Sequence, residues 1–295
     1  MITTNKLIVC VAPTSNFHGK DANPALPYHP DEIAEEVYKC WNAGASIVHI
    51  HARDKNGVPT NDPDVFREID EKIRAKKCEI IIQHSTAPAL RVEDFKAGHQ
   101  IDIWAGARSI EPHPEMASLN VGLGAVMYRG LEMPIPWTRS FIETNAKRML
   151  DMGIKPEIEV YNTGMMEDVY NLIEKDLLAK PYWLSFVMGM NRVNQGAVRY
   201  TPKLLANYVD MLPEEAMFST LGIMETEIQA CTLAILLGGH VRVGFEDNIN
   251  YVKGQKARDN AQLVERIVMF GRELGREIAS PAEARELMGM PPLKM

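Results

Sequence analysis

The chain has 295 residues, 46% hydrophobic and 24% charged, an ordinary globular composition with length enough for one large core. Its net charge of −7 argues against a nucleic-acid backbone binder, and no apolar run approaches the roughly 18–20 residues that cross a bilayer. The opening run L-I-V-C-V-A-P is too short for a signal peptide, and Cys10, Cys40, Cys78 and Cys231 lie far apart with no C-x-x-C, so a reducing compartment, the cytoplasm, is expected.

Lys6–Ala12 predicts a first buried strand ended by Pro13, followed by a long Gly-, Pro-, Asn- and Asp-rich loop, Thr14 to Tyr28. His29-Pro30-Asp31-Glu32 starts a helix, Ile33, Val37 and Trp41 form its apolar stripe, and Gly44 stops it. Ser46–His51 predicts the second strand, Asp64–Lys76 a helix, and Glu79–Gln83 the third strand. Residues 88–112 fit neither period well; Ile101–Ala105 reads as a strand fragment. Glu115–Leu119 is the fourth strand, Ser140–Asp151 a helix ending at Gly153, and the strictly alternating Glu157–Tyr161 the fifth strand. Helix Met165–Asp176, strand Tyr182–Met188, helix Pro202–Met211, strand Ala216–Thr220, helix Thr226–Leu237, strand His240–Val243 and helix Asp259–Leu274 complete the series.

Eight apolar strands, each followed by a helix, predict an α/β protein of the (β/α)8 TIM-barrel class, as one domain over residues 1–295. A doubly wound open sheet would normally carry G-x-G-x-x-G after its first strand, and none is there.

The stretch Ile47 to Asp54 reads I-V-H-I-H-A-R-D, and residues two apart on a strand point to one face. His49 and His51 therefore aim together, as half of a zinc or iron site would require. Taken alone, H-x-H equally fits one core histidine beside a surface one. A second constellation strengthens the metal reading. Strand eight runs G-G-H-V-R-V-G-F-E-D-N, and in a closed barrel strands two and eight both flank strand one, so Glu246 can meet the two histidines. Two histidines, one carboxylate and open positions suit a catalytic metal.

The other strand ends offer Ser85 and Thr86, Ser118 and Asn120, Glu159, Arg242 and Asp247. Each has a plainer alternative. Arg242 could be a structural partner of Glu159, Thr86 a turn cap, and Glu246-Asp247 an acid pair at a helix start.

These segments resemble the β-keto acid cleavage enzymes. The resemblance rests on I-V-H-I-H-A-R-D, E-I-I-I-Q-H-S-T, P-E-M-A-S-L-N, K-P-E-I-E-V-Y and G-G-H-V-R-V-G-F-E-D-N, in order along nearly the whole chain. It implies a zinc-dependent barrel, a homo-oligomer with a tetramer favoured, that converts a β-keto acid and acetyl-CoA into acetoacetate and a new acyl-CoA. By position, it implies zinc on His49, His51 and Glu246, with Asp247 as general base. Arg242 would anchor and polarise the keto acid, and Ser85, Ser118 and Glu159 would line the site.

Two segments depart from the family pattern. Where a G-A-E segment is usual after strand one, this chain reads T-S-N-F-H, with Phe17 at the acid's position. After strand seven, G-I-M-E replaces G-I-G-R, bringing Met224 and Glu225. Phe17 favours a substrate with an uncharged tail, since an ammonium buried against it lacks a counter-ion. Entry of Glu225 or Glu227 would instead favour a cationic tail, with cation–π contact to Phe17, and a role for Arg108 or Arg139 an anionic one.

Other chemistries remain as alternatives: a metal-dependent barrel hydrolase or aldolase, or a catalytically silent binding barrel. Amidohydrolase-type sites need further histidines where strands five and six carry Glu159 and Ser185, and no strand-end lysine is evident for a Schiff-base aldolase.

Overall fold

The structure, a computed structural model, describes residues 1–91, 93, 96, 101–128 and 130–293. Eight parallel strands close into a barrel: β1 Val9–Val11, β2 Ile47–Ile50, β3 Ile81–His84, β4 Met116–Asn120, β5 Lys155–Val160, β6 Tyr182–Met188, β7 Ala216–Gly222 and β8 His240–Val243. Each pairs with its neighbours in sequence, and β8 returns to β1 through Val241 with Val9 and Arg242 with Cys10. On its other side β1 pairs with β2, Cys10 opposite Ile47. The TIM-barrel class expected from the alternation is the fold observed.

The strands face two cores. Val48 and Ile50 point outward and join the packing against the helices, while Ile47 points inward with Ile8, Cys10, Ile81, Met116, Trp183 and Met217. This inner apolar cluster sits towards the N-terminal ends of the strands and includes Ala279, Ala284 and Met288 from the C-terminal segment. Further up, the inward positions turn polar: His49, Gln83, Ser118, Glu157, Ser185 and Ser219 are all buried. A barrel interior that changes from apolar to polar along the same strands places its chemistry at the C-terminal mouth.

The surrounding helices are α1 Pro30–Asn42, α2 Pro63–Ala75, α3 Ile103–Gly106, α4 Arg139–Met152, α5 Met166–Glu174, α6 Pro202–Asp210, α7 Thr226–Leu236, α8 Asn260–Glu273 and α9 Pro281–Leu287. Their ends follow local chemistry. The side chains of Asp62, Thr138, Thr201 and Asp259 each accept a first-turn backbone N–H, and α4 ends at Gly153 with φ +68°. No helix among the described residues is long and apolar enough to cross a membrane.

Several expectations need correction. Ile101–Ala105 is not a strand: Asp102 Oδ1 accepts from the N–H groups of Trp104 and Ala105 at 3.0 and 3.1 Å and starts α3, a local cap outcompeting a weak alternation. Of the unplaced 88–112 stretch, residues 92, 94–95 and 97–100 lie outside the described residues. The first strand is divided. Val9–Val11 enters the barrel, whereas Lys6–Leu7 pairs with Glu277–Ile278, a C-terminal strand that sequence reading did not anticipate. Also unforeseen is an antiparallel hairpin, Gly124–Tyr128 with Leu131–Ile135, inserted after β4.

Candidate active site

His49 lies on β2 and His51 directly after it, with ring centroids 5.3 Å apart. Glu246 comes from the loop after β8. That loop turns at Gly244, with φ +139°, where an added Cβ would meet the Ala12 carbonyl oxygen at 2.4 Å. The close approach lets Glu246 N–H donate to that same oxygen at 3.0 Å, fixing the carboxylate over the mouth of the barrel.

His51 Nε2 lies 3.2 Å from Glu246 Oε1, and His49 Nε2 lies 3.5 Å from Glu246 Oε2. Ligand atoms on a tetrahedral zinc stand about 3.3 Å apart, given bonds of about 2.0–2.1 Å. Both ring nitrogens of buried His49, and Glu246 Oε2, have no hydrogen-bond partner. Orphaned buried donors and acceptors of this kind are costly unless something satisfies them. Among the described residues these three side chains form the one His/Cys/Asp/Glu group whose ligand atoms converge, all within 4.8 Å. Burial, helped by the charge of Arg242, holds His49 well below its ordinary pKa, so it stands neutral as a metal ligand must. Behind it, Glu157 Oε2 lies 3.7 Å from His49 Nδ1, in the place of an orienting carboxylate. The residues present therefore fit a divalent metal.

Arg242, 2% exposed, ties the acids together. Its Nε and Nη2 donate to Asp247 Oδ2 and Oδ1, each at 2.9 Å. Nη2 also lies 2.7 Å from Glu246 Oε1, and Nη1 donates to Glu159 Oε1 at 3.1 Å. The three carboxyls are not equivalent. Burial would raise Glu246, but Arg242 and the two histidines hold it well below the usual carboxylate range. Burial pushes Asp247 up to about 7 despite Arg242, with Glu246 adding repulsion, and burial with the Glu157 charge pushes Glu159 up to about 8. One ionised carboxylate beside two carboxyls poised near neutrality is a division of labour suited to proton transfer.

These groups border a cavity of about 470 Å3, which His49, His51, Arg242, Glu246, Asp247, Glu159, Ser85, Asn120 and Phe17 all line. Ser118 and Thr86 do not line it. They face each other instead: Thr86 Oγ1 donates to the Ser118 carbonyl oxygen at 2.7 Å and Thr86 N–H to Ser118 Oγ at 3.0 Å, tying the end of β3 to β4. Glu225 is exposed and borders a neighbouring cavity of about 480 Å3 with Arg192 and Arg199. Glu227 is fully buried and bonded to Arg266 and Asn248.

Sequence reasoning passed over several lining residues. Tyr161 donates through its hydroxyl towards Glu159 Oε2 at 3.0 Å and lies 2.5 Å from Asn120 Oδ1. The same alternation that singled out Glu159 puts Glu157 and Tyr161 on its face, so both were within reach of the period-two rule. Val126, Met127 and Ile135 of the hairpin, with Trp137 beyond it, had no such signal.

A model of the β-keto acid cleavage enzymes matches residues 6–290. The chain belongs to this family. It is 37% identical over 285 residues to the 3-keto-5-aminohexanoate cleavage enzyme of Fusobacterium nucleatum, covering 97% of this chain and 98% of that protein. It is 30% identical to the 3-oxoadipate:acetyl-CoA acetyltransferase of Cupriavidus necator, over 99% and 98% of the two chains. A third relative, the 3-dehydrocarnitine:acetyl-CoA trimethylamine transferase of Rhizobium meliloti, is 30% identical over 88% of each. Among solved structures, the ternary complex of ObcA with a C4-CoA adduct and oxalate superposes with a TM-score of 0.69 at 22% identity, over 90% of this chain and 68% of that one, a likeness of fold. As a β-keto acid cleavage enzyme the protein is an acyltransferase that breaks a carbon–carbon bond. The relatives' names include an amine, a second carboxylate and a quaternary amine, so they do not by themselves choose the tail of its substrate.

Proposed function

We propose that this enzyme holds one zinc ion on His49, His51 and Glu246 and condenses a β-keto acid with acetyl-CoA, releasing acetoacetate and a new acyl-CoA. The observation that carries the reading is the convergence of those three side chains, with buried unpartnered atoms, beside the Arg242–Asp247 pair in one cavity. Zinc bound there would supply Lewis-acid polarisation of the keto oxygen, making the protons on C2 removable.

The chain's own groups do the rest. Asp247 is held at both oxygens by Arg242, which orients one face of the carboxylate and leaves lone pairs to receive the C2 proton. Arg242 supplies the positive charge that meets the substrate carboxylate at the mouth of the barrel. Tyr161 and Arg242 hold Glu159 against the same wall. The deprotonated C2 bonds to the acetyl carbonyl carbon, and the CoA sulfur passes to the C3 carbon of the adduct. The C2–C3 bond then breaks with its electron pair left on C2, which takes back a proton as acetoacetate leaves.

The same reading makes the enzyme a cytoplasmic homo-oligomer. Four buried free thiols support a reducing compartment, and the assembly follows the family's habit. Metal analysis and an acetoacetate assay on wild type and His49→Ala test the reading. Wild type is expected to carry about one zinc per chain, and the variant to lose both metal and turnover. Unchanged zinc in His49→Ala removes the ligand assignment.

A further inference from the structure

Resting on that reading, the cavity also selects the tail of the keto acid. Apart from Asp21, its charged groups cluster together: Arg242 is bonded to Glu159, Glu246 and Asp247, and Glu246 faces both histidines. Phe17, Leu90, Val126, Ile135, Trp137 and Val193 give the rest of the lining an apolar stretch, with uncharged polar groups such as Asn16 and Asn194 beside it.

Among the described residues, little in this cavity offers a charged tail a partner. An anionic tail needs a cation, and Arg242 is the only lysine or arginine among the described residues lining this cavity. Arg108 and Arg139 do not line it. Both are exposed and paired outside it, with Glu111 at 3.2 Å and Asp168 at 3.1 Å. A cationic tail needs an acid. Glu225 borders the neighbouring cavity, and Glu227 is spent on Arg266, Asn248 and the Gly244 N–H. Asp21 lines the rim, but its side chain is exposed, where water and salt weaken its pull on a buried charge. Beside Phe17, His18 is pushed by burial towards its neutral form, which offers no charge to either kind of tail.

We propose that the substrate is a β-keto acid with an uncharged, apolar tail, and that Phe17 is a specificity-determining residue. The tail lies along the Phe17–Trp137 wall, where burying hydrocarbon is favourable and an ion would lose its hydration without gaining a partner. Each added methylene is expected to raise kcat/KM roughly fourfold until the wall is filled, from the transfer free energy of one buried CH2.

The experiment is kcat/KM with acetyl-CoA for four β-keto acids of matched length, ending in methyl, ammonium, trimethylammonium or carboxylate. It is run on the zinc-loaded wild type, Phe17→Leu and Phe17→Glu. The methyl-ended acid is expected to lead by about tenfold or more in wild type and Phe17→Leu, in line with the loss of apolar burial and the unpaired charge. Phe17→Glu is expected to lower it and raise the ammonium-ended acid. A charged tail that equals or exceeds the methyl one in wild type overturns the proposal, and so does a chain-length series with no rise. Should Phe17→Glu fail to fold, the wild-type series decides alone. Acetoacetate from none of the four acids would instead overturn the proposed reaction, and this inference with it.

Discussion

Arg242 and Arg266 are both buried guanidiniums close to the loop after β8, yet their surroundings differ in kind. Arg266, on α8, donates to Glu227 at 2.8 Å and to the Tyr251 carbonyl oxygen, and its guanidinium lies over the Tyr251 ring. Glu227 in turn receives Asn248 at 3.1 Å and the Gly244 N–H at 3.2 Å. Burial pushes Glu227 up to about 8 even beside Arg266, and neither residue lines the cavity. Arg242 instead faces three carboxyls, beside a neutral histidine and a Glu246 oxygen with no partner, all opening on the cavity. In the first cluster both carboxylate oxygens of Glu227 have partners, though Arg266 Nε has none; in the second, Glu246 Oε2 and both ring nitrogens of His49 are left without one, at the cavity. A buried ion pair is therefore weak evidence for function, while unpartnered buried ligand atoms that converge on a cavity are stronger evidence.

Substitutions at the two clusters should fail differently. At the open cluster, Asp247→Asn is expected to lower kcat by about 10²–10⁴-fold, as removal of a general base does. Zinc content and melting temperature should stay near wild type. Near-native acetoacetate production would make Asp247 structural, like Glu227.

At the closed cluster, Arg266→Met should cost about 3–5 kcal/mol of stability by leaving Glu227 buried and unpaired. Below its melting temperature the variant should keep zinc and turnover. Denaturant unfolding checks the first part and metal analysis the second; loss of zinc with stability intact would join the clusters into one functional unit.

At neutral pH the smallest effect belongs to β8 itself, whose lower end carries another buried titratable group. His240 accepts the Ile8 N–H at Nδ1 at 3.0 Å and stacks on Trp183, and burial, with Arg276 adding, pushes its pKa down to about 3. Between its ordinary value of 6.5 and 3, the unfolded chain binds a proton there that the folded chain does not. Stability therefore falls as pH drops through that window, with a slope from this one residue of up to about 1.4 kcal/mol per pH unit. His240→Asn should show a shallower acid limb in unfolding titrations than wild type. Identical limbs would mean that His240 is protonated in the folded protein.

Much of this could be read from residues alone where a short period decides the outcome. The alternation at Ile47–His51 put both histidines on one face, and that at Glu157–Tyr161 put Glu159 on the inward one, because side chains on a strand alternate whatever surrounds them. Strand ends were less legible. Lys6–Ala12 is one extended run, yet its two halves enter different sheets, because the partner of Lys6–Leu7 is about 270 residues away.

By itself, then, the sequence determined the βα alternation, and through it the barrel whose closure sets strands two and eight on either side of strand one. That ring order let Glu246 meet His49 and His51; Arg242 and Asp247 stood only as strand-end residues, with roles that the family resemblance implied. Only tertiary structure decided which residues at the strand ends and beyond them face the cavity. Thr86 and Ser118 turn to each other, Glu225 turns to solvent, Glu227 turns to Arg266, and the 124–135 hairpin brings apolar residues to the wall. The physical reason is that a strand's direction is set by its own backbone and its neighbours' hydrogen bonds, whereas a polar side chain at or beyond an element's end turns to whatever partner or burial distant elements offer it.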